Sequence, residues 1–215
     1  MKVRVKRKLR ALPATTQATP KQSLGHYDPA ARKLNLHTLG DEQVQASDIA
    51  DLVASDKKTS VKVAKLLRAL EPLLGSVRIT AVDVDHPMLN TGGIQAAASY
   101  DPTGRMIYVA NDQAAPITVV IHEMVHAAVD RVMHIKPELL TKRQLAARHT
   151  IEDTYVFMQN QAELQGTYGM QDVHEFVAEA MSNPEFQQQL AQYKVENGNF
   201  LTRFYDNIKI GRAHV

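Results

Sequence analysis

The stretch PITVVIHEMVHAAVDRV, residues 116–132, constrains the fold of this chain more than any other. Its apolar residues cover every side of a helix, which is typical of a helix buried in a protein core. Pro116 is tolerated in a first helical turn, so we predict a helix from Pro116 to about His134. Because an unpaired charge is costly in a core, the polar residues His122, Glu123 and His126 need partners there.

These three polar residues form an H-E-x-x-H pattern. On a helix, His122 and His126 lie four residues apart, so both imidazoles project from one face and can bind one ion. Glu123 lies beside them, close enough to hold a water on that ion. The pattern is the signature of zinc metalloproteases. The alternative is a pair of core histidines with satisfied hydrogen bonds and a glutamate at the surface.

A catalytic zinc site requires a third protein ligand. The chain has no cysteine, so only His, Asp or Glu can supply it. The segment DVHEFVAEAMSNPEF, residues 172–186, places Glu175 and Glu179 four apart on one face of a second predicted helix. Glu175 can instead belong to a capping box with Asp172 as N-cap, and the two roles are compatible. Isolated candidates are His134, His149, Glu152 and Asp153.

The pairing of VVIHEMVHAA with the downstream EFVAEAMSNPEF resembles the gluzincin branch of the zincin metallopeptidases. The resemblance is strongest to the protease domain of anthrax lethal factor and to small phage-encoded relatives, and it covers about residues 99–186. It implies that Glu175 is the third zinc ligand. It also implies that Glu179 supports the site from behind by orienting a zinc-binding histidine through its free ring nitrogen.

The same resemblance gives Tyr168 a catalytic role, because lethal factor proteases carry a tyrosine two turns before the glutamate ligand. The tyrosine there helps the oxyanion or the leaving group, and the alternative for Tyr168 is packing. His174 is a further candidate donor, although its place next to Glu175 points it elsewhere on a helix. Aspzincins use a G-T-x-x-D ligand motif, which GTYGM at residues 166–170 matches only in part; Asp172 is therefore an alternative ligand.

The remaining pattern predicts an α+β fold. SDIADLVAS predicts a helix with Ser47 as N-cap, and TSVKVAKLLRALEPLLG predicts a longer helix that Gly75 ends. Strands are predicted in SVRITAVDVD, GGIQAAASYD and GRMIYVAND, the last two joined by a turn at DPTG. The resemblance implies a zincin-like architecture, with a small twisted mixed sheet on the active-site helix and a mostly helical C-terminal half.

In zincins, the substrate lies along the edge strand of that sheet. By this resemblance and by order in the chain, GRMIYVAND is the edge strand, and the backbone of Val109, Ala110 and Asn111 binds an extended peptide. The alternative is an ordinary sheet strand.

The two ends of the chain differ from its middle. Residues 1–40 form a basic N-terminal arm and linker, residues 41–208 the zincin-like domain, and residues 209–215 a tail. The arm, MKVRVKRKLR, is either a solvated segment or edge strand or, through residues 2–10, a weak contact for a polyanion. The tail KIGRAHV resembles a translated sequencing-adapter oligonucleotide in a metagenomic fragment, and on that interpretation His214 is not a ligand; the alternative is an accidental tail sequence.

We therefore expect a zinc metallopeptidase that acts on a peptide or protein, with Glu123 as general base. The alternative is a non-catalytic zinc-binding domain, structural or interaction-bearing, that its basic arm brings to nucleic acid. The net charge of +2 gives the whole chain no large electrostatic excess. Neither a signal peptide nor a membrane span is recognisable, so we expect a cytoplasmic protein where it is made, with a phage association implied by the resemblance.

Overall fold

The structure is a computed structural model that describes residues 26–28, 30–31, 33–35, 43–91, 93–111, 115–195 and 198–199. The predicted basic contact at residues 2–10 and the tail at residues 209–215 lie outside the described residues. The helices are α1 (Ala46–Ser55), α2 (Val61–Leu74), α3 (Ile117–His134), α4 (Lys142–Gln159), α5 (Val173–Ser182) and α6 (Pro184–Leu190). Short 3-10 helices lie at Pro87–Leu89, Pro137–Leu139, Ala162–Leu164 and Tyr168–Met170.

The strands are short. They are β1 (His26–Asp28), β2 (Lys33–Asn35), β3 (Val44–Gln45), β4 (Arg78–Val82), β5 (Asn90–Thr91), β6 (Ile94–Gln95), β7 (Ala98–Asp101), β8 (Met106–Ala110), β9 (Ala115–Pro116), β10 (Lys194–Val195) and β11 (Gly198–Asn199). The main sheet has four strands in the order β3-β4-β8-β7. Its β4–β8 pair is parallel and its other two pairs are antiparallel, so the predicted α+β class with a small mixed sheet is confirmed.

The order of strands corrects one prediction. Strand β8, which contains GRMIYVA, lies between β4 and β7 and is not an edge strand. The backbone N–H of Ala110 donates to Ala97, and that of Asn111 donates to Val82. Val109 is paired with Ala98 on one side and Ala81 on the other. Because both sides of β8 are already bonded, an extended peptide has no place to add at Val109, Ala110 and Asn111. Within the described sheet, β7 is the edge on this side.

The predicted helices α2 and α3 are confirmed. Ser60 caps α2, its side-chain oxygen accepting from the N–H of Val63 at 3.3 Å, and Gly75 follows the last turn with a positive φ of 53°. Helix α3 begins at Ile117, one residue after Pro116, which pairs with Lys33 as part of β9.

The predicted cap of α1 is wrong. The helix begins at Ala46, with Gln45 in the N-cap position, so Ser47 already lies inside it. The N–H of Ala46 donates to the carbonyl of Val77 at 2.9 Å. Since the sheet satisfies this amide at the helix start, the chain passes from β3 into α1 without a side-chain cap.

A single hydrophobic cluster joins the sheet to the helices. It contains Ile79 and Ile107 from the sheet together with Met124 and Val125 from α3, all fully buried. Phe176 of α5 belongs to the same cluster. Helix α3 is therefore held between the sheet and α5, and its polar residues face the gap between them.

Candidate metal centre and cleft

Two imidazole rings meet on one face of α3. The Nε2 atoms of His122 and His126 lie 3.0 Å apart, and the rings are arranged edge to face with their centroids 4.7 Å apart. Between them in the chain lie Met124 and Val125, which are completely buried in the core. The apolar residues therefore fix the rotation of the helix, and this rotation turns both histidines towards α5.

Helix α5 brings Glu175 to the same point. Its Oε2 lies 3.1 Å from Nε2 of His122, and its Oε1 lies 3.4 Å from Nε2 of His126. Asp172 caps the helix, because its Oδ1 accepts from the N–H groups of His174 at 2.8 Å and Glu175 at 2.9 Å. Asp172 thus caps the helix as predicted, while the carboxylate of Glu175 faces the histidines and does not complete a capping box.

The three side chains form a group that can hold a metal ion. Ligand atoms of His122, His126 and Glu175 all lie within 4.8 Å of one another. A tetrahedral ion with bonds of about 2.0–2.1 Å holds its ligand atoms about 3.3 Å apart. The two histidine nitrogens, 3.0 Å apart, lie close to that edge length, and each of them approaches a different oxygen of Glu175, at 3.1 and 3.4 Å. Two imidazoles and a carboxylate are also a ligand set that zinc uses.

Glu179 supports the group from the other side of a ring. Its Oε1 lies 3.1 Å from Nδ1 of His122, which leaves Nε2 of that ring directed at the group. Its Oε2 accepts a hydrogen bond of 2.7 Å from the side-chain amide of Asn183. Ser182 also approaches Nδ1 of His122, at 3.3 Å, while it donates to the carbonyl of Ala178. A proton on Nδ1 donated to Glu179 fixes the tautomer and the ring orientation.

Asn183 and Ser182 are contacts that the sequence analysis missed. Asn183 also caps α6, since its Oδ1 accepts from the N–H groups of Glu185 and Phe186. An Asn directly before a proline is a recognisable helix-start signal, and it lies four residues after Glu179. These two features together indicate a side chain that reaches back to α5 while it begins α6.

The electrostatics of the group favour a cation. Burial lowers the pKa of His122, but hydrogen bonds with Glu175 and Glu179 outweigh it and raise the pKa to about 9. For Glu175 burial raises the pKa, but the bonds with His122 and His126 outweigh it and hold the pKa well below its usual range. Without a metal, a proton on His122 is therefore held between two carboxylates, and a bound metal ion replaces its positive charge.

Glu123 lies beside this group and is nearly buried. Burial raises the pKa of its carboxyl above the ordinary value, while the neighbouring His126 and His122 oppose that shift. The backbone of Tyr100, in β7, forms a hydrogen bond with this carboxylate. Glu123 is thus oriented by the sheet and placed at the surface of the cleft.

Tyr168 lies at the mouth of the cleft. Its ring centroid is 6.1 Å from that of His122, and half of the residue is exposed. Burial of the hydroxyl, together with the charge of Glu175 and a hydrogen bond to it, raises the pKa of Tyr168. The next residue, Gly169, packs directly on α5 and α6: a Cβ there would lie 2.8 Å from Cζ of Phe186. This close approach holds the 3-10 turn that carries Tyr168 against α5.

An open cleft of about 470 Å³ lies in front of these residues. His122, Glu123 and Tyr168 line one part of it, and Ala97 and Ala98 at the start of β7 line another. Glu185 stands at the α6 side. The volume is within the range of ordinary ligand sites.

The other candidate ligands lie elsewhere. The ring of His174 stacks on that of His134 with centroids 4.7 Å apart, and His134 contacts Asp130 at 2.7 Å. Glu152 pairs with Arg148, while His149 and Asp153 are exposed on α4. Asp172 is the cap of α5. None of these joins the three-residue group, which is the one set of three or more potential ligands found among the described residues.

Comparison with known proteins adds no relative: no family model, no curated protein and no solved structure matches the chain. Within the described ranges, every helix is too short or too polar to cross a membrane.

Proposed function

We propose that this chain is a zinc-dependent metallopeptidase with a zincin-like fold. The observation that carries the proposal is the convergence of His122, His126 and Glu175 at separations of 3.0 to 3.4 Å, with the carboxylate of Glu123 beside them. These are the parts that hydrolysis of a peptide bond by a metal-activated water requires.

The site has the form of a catalytic centre. Structural zinc sites are closed by four protein ligands, whereas catalytic sites have three and leave one position open. The group has three ligand residues and adjoins an open cleft of about 470 Å³. Glu123 provides a further argument, because a purely structural site has no use for a nearly buried carboxylate next to its ligands.

Each residue has a definite task in this reaction. His122, His126 and Glu175 would hold the zinc ion, which would lower the pKa of a water towards about 7 and polarise the scissile carbonyl. The carboxylate of Glu123 accepts the proton of the attacking water and later delivers it to the leaving amine as the C–N bond breaks. The hydroxyl of Tyr168 donates to the oxygen that becomes negative in the tetrahedral intermediate.

The edge strand β7 is the best place for the substrate backbone. Ala97 and Ala98 line the cleft, and β7 is bonded to β8 on one side only within the described sheet. An extended peptide can add along this edge as another strand, next to Glu123. This placement replaces the one at Val109, Ala110 and Asn111, which lie inside the sheet.

The decisive experiment is Glu123→Gln in the zinc-loaded full chain. We expect zinc content to stay at one ion per chain while cleavage of a random-sequence peptide library falls by at least about 100-fold, because the general base is lost. Glu138→Gln, an exposed glutamate remote from the ligands in the chain, is the control and keeps both properties. Cleavage that survives in Glu123→Gln, or a wild-type chain that binds no zinc, contradicts the proposal.

A further inference from the structure

A second cavity opens beside the cleft and has the opposite charge. This side cavity, of about 190 Å³, lies between the N-terminal end of α2, the first turns of α3 and the α5–α6 junction. Its volume is below the range of pockets that enclose a whole small molecule but far above that needed for one water. Its size is therefore suited to a single side chain or chain end.

The side cavity adjoins the cleft. Both are lined by Thr118, Ser182 and Pro184. Ser182 also approaches the ring of His122 at 3.3 Å. A peptide bound in the cleft can therefore place one of its side chains, or its terminus, in the side cavity without leaving the metal centre.

The floor of the side cavity is apolar. Leu66, Ile117, Ile121 and Met181 line it, and each is at least nine-tenths buried. Such a floor favours the methylene groups of an occupant. This part of the cavity is the reason to expect an aliphatic stem in whatever binds.

The rim of the side cavity is cationic. Lys58 and Lys62 line it, and every other lining residue is uncharged. Lys62 donates from Nζ to the side-chain carbonyl of Gln187, which is itself buried and donates to the carbonyl of Met181 at 3.0 Å. The ammonium group is thus held in place over the cavity by a fixed amide.

The start of α2 also favours an anion at the rim. Ser60 caps the 14-residue helix α2, so the positive end of the helix dipole faces the cavity.

From this combination, and on the basis of the proposed peptidase function, we infer that the side cavity selects substrates that place a carboxylate beside Lys58 and Lys62. The cleft itself carries Glu123, Glu179 and Glu185, so it repels an acidic group that stays there. A glutamyl side chain, with an aliphatic stem and a terminal carboxylate, matches both the floor and the rim. A free C-terminal carboxylate presents the same charge, and the experiment distinguishes the two.

The test compares wild type, the double variant Lys58→Glu/Lys62→Glu and the control Lys65→Glu, all zinc-loaded. Lys65 is exposed on α2, the helix that also carries Lys62, and does not line the side cavity. A glutamate at position 62 lies in the first turn of α2, where the helix dipole favours it, so the double variant is expected to fold. Cleavage sites in a random peptide library are read by mass spectrometry, and kcat/KM is then measured on matched peptides with Glu, Gln or Lys at the selected position.

We expect wild type to prefer the Glu peptide over the Gln peptide by about 2- to 25-fold, since an exposed ion pair contributes about 1.4- to 5-fold and two lysines are present. The double variant loses or reverses this preference, whereas Lys65→Glu keeps it. If the terminal carboxylate is the occupant, wild type cleaves the Glu and Gln peptides alike, and amidation of the peptide C-terminus lowers kcat/KM in wild type and Lys65→Glu but not in the double variant. Equal kcat/KM for the Glu, Gln and C-terminally amidated peptides in wild type, or the same loss in Lys65→Glu, overturns the inference and leaves the peptidase function intact.

A binding measurement separates the two proposals if no peptide is cleaved. Glutarate, with 1,5-pentanediol as its neutral control, is titrated into the zinc-loaded chain while the side-chain amide of Gln187 is followed by NMR. Saturable shifts with glutarate alone, lost in the double variant and kept in Lys65→Glu, support the carboxylate site even though the peptidase proposal has failed. Absence of these shifts overturns the site.

Discussion

Replacement of Glu179 by glutamine tests how the metal centre is built. Glu179 accepts from Nδ1 of His122 and also from the amide of Asn183 at 2.7 Å. Glutamine has nearly the same shape but no charge, and it offers one acceptor oxygen where two are used. If its oxygen stays on His122, its NH₂ group faces the NH₂ group of Asn183. If its oxygen stays on Asn183, its NH₂ group faces Nδ1 of His122.

The expected size follows from these contacts. A hydrogen bond to a charged acceptor is worth about 1.5–3 kcal/mol, against about 0.5–1.5 kcal/mol for a neutral one. The difference of about 1–1.5 kcal/mol corresponds to about 10-fold in zinc affinity, and loss of the ring orientation extends the range towards 100-fold. We therefore expect the zinc Kd of Glu179→Gln to be about 10- to 100-fold weaker.

The pH of the measurement matters, because His122 must lose its proton before it binds zinc. Its pKa is raised to about 9 in the metal-free chain, so the proton is present below pH 9 and lost above it. Wild-type zinc affinity consequently falls about tenfold per pH unit below 9. Removing the charge of Glu179 lowers the pKa of His122, so the proton competes less with zinc for this ring below pH 9. The loss of zinc affinity in the variant is therefore largest above pH 9 and smaller at pH 7.

The assay is competition with a chromophoric zinc chelator at pH 7 and at pH 9.5, at one ionic strength. Glu152→Gln is the matched control, because Glu152 pairs with Arg148 on α4 and takes no part in the metal-binding group. A Kd for Glu179→Gln within threefold of wild type at pH 9.5 refutes the reasoning. An effect that is larger at pH 7 than at pH 9.5 refutes the proton competition.

Two further predictions concern the elements that position the site. Asp172→Ala removes the cap of α5 and should lower the free energy of unfolding of the metal-free chain by about 1 kcal/mol, whereas Asp172→Asn should keep most of that stability. Urea denaturation measures both variants. An unchanged unfolding midpoint in the alanine variant contradicts the capping role. Gly169→Ala places a Cβ 2.8 Å from Phe186 and 2.9 Å from Glu179, so it should lower the free energy of unfolding by about 1–3 kcal/mol and weaken zinc binding. An unchanged thermal midpoint would mean that α5 and α6 shift to accommodate the methyl group.

Local patterns predicted α2 and α3 well, whereas no local pattern predicted the 18-residue α4. The apolar periodicity of α2 and the uniform apolar character around His122 and His126 are properties of single segments, and both helices occur where these patterns place them. The pairing of the two histidines also follows from a spacing within one helix. The convergence with Glu175 was predicted through a resemblance, since no local pattern states which two helices lie side by side.

The order of strands and the side cavity could not be predicted in this way. Strand β8 looks the same in sequence whether it is central or at an edge, because the order of strands depends on distant pairings with β4 and β7. The side cavity joins three segments around Lys62, Ile117 and Gln187, which are far apart in the chain. The missing cap of α1 has the same cause: a carbonyl of another segment, at Val77, replaces it.

Asn183 restricts the sequences that this site can accept. Its NH₂ group donates to Glu179 while its carbonyl oxygen receives the first amides of α6. Aspartate would still begin α6 but would set a second negative charge against Glu179, and serine is too short to reach both partners. Among side chains of this length, only asparagine can donate a hydrogen bond to Glu179 and accept hydrogen bonds from the first amides of α6 at the same time. If variants of this chain are selected for metal binding, we therefore expect position 183 to be nearly as invariant as His122, His126 and Glu175.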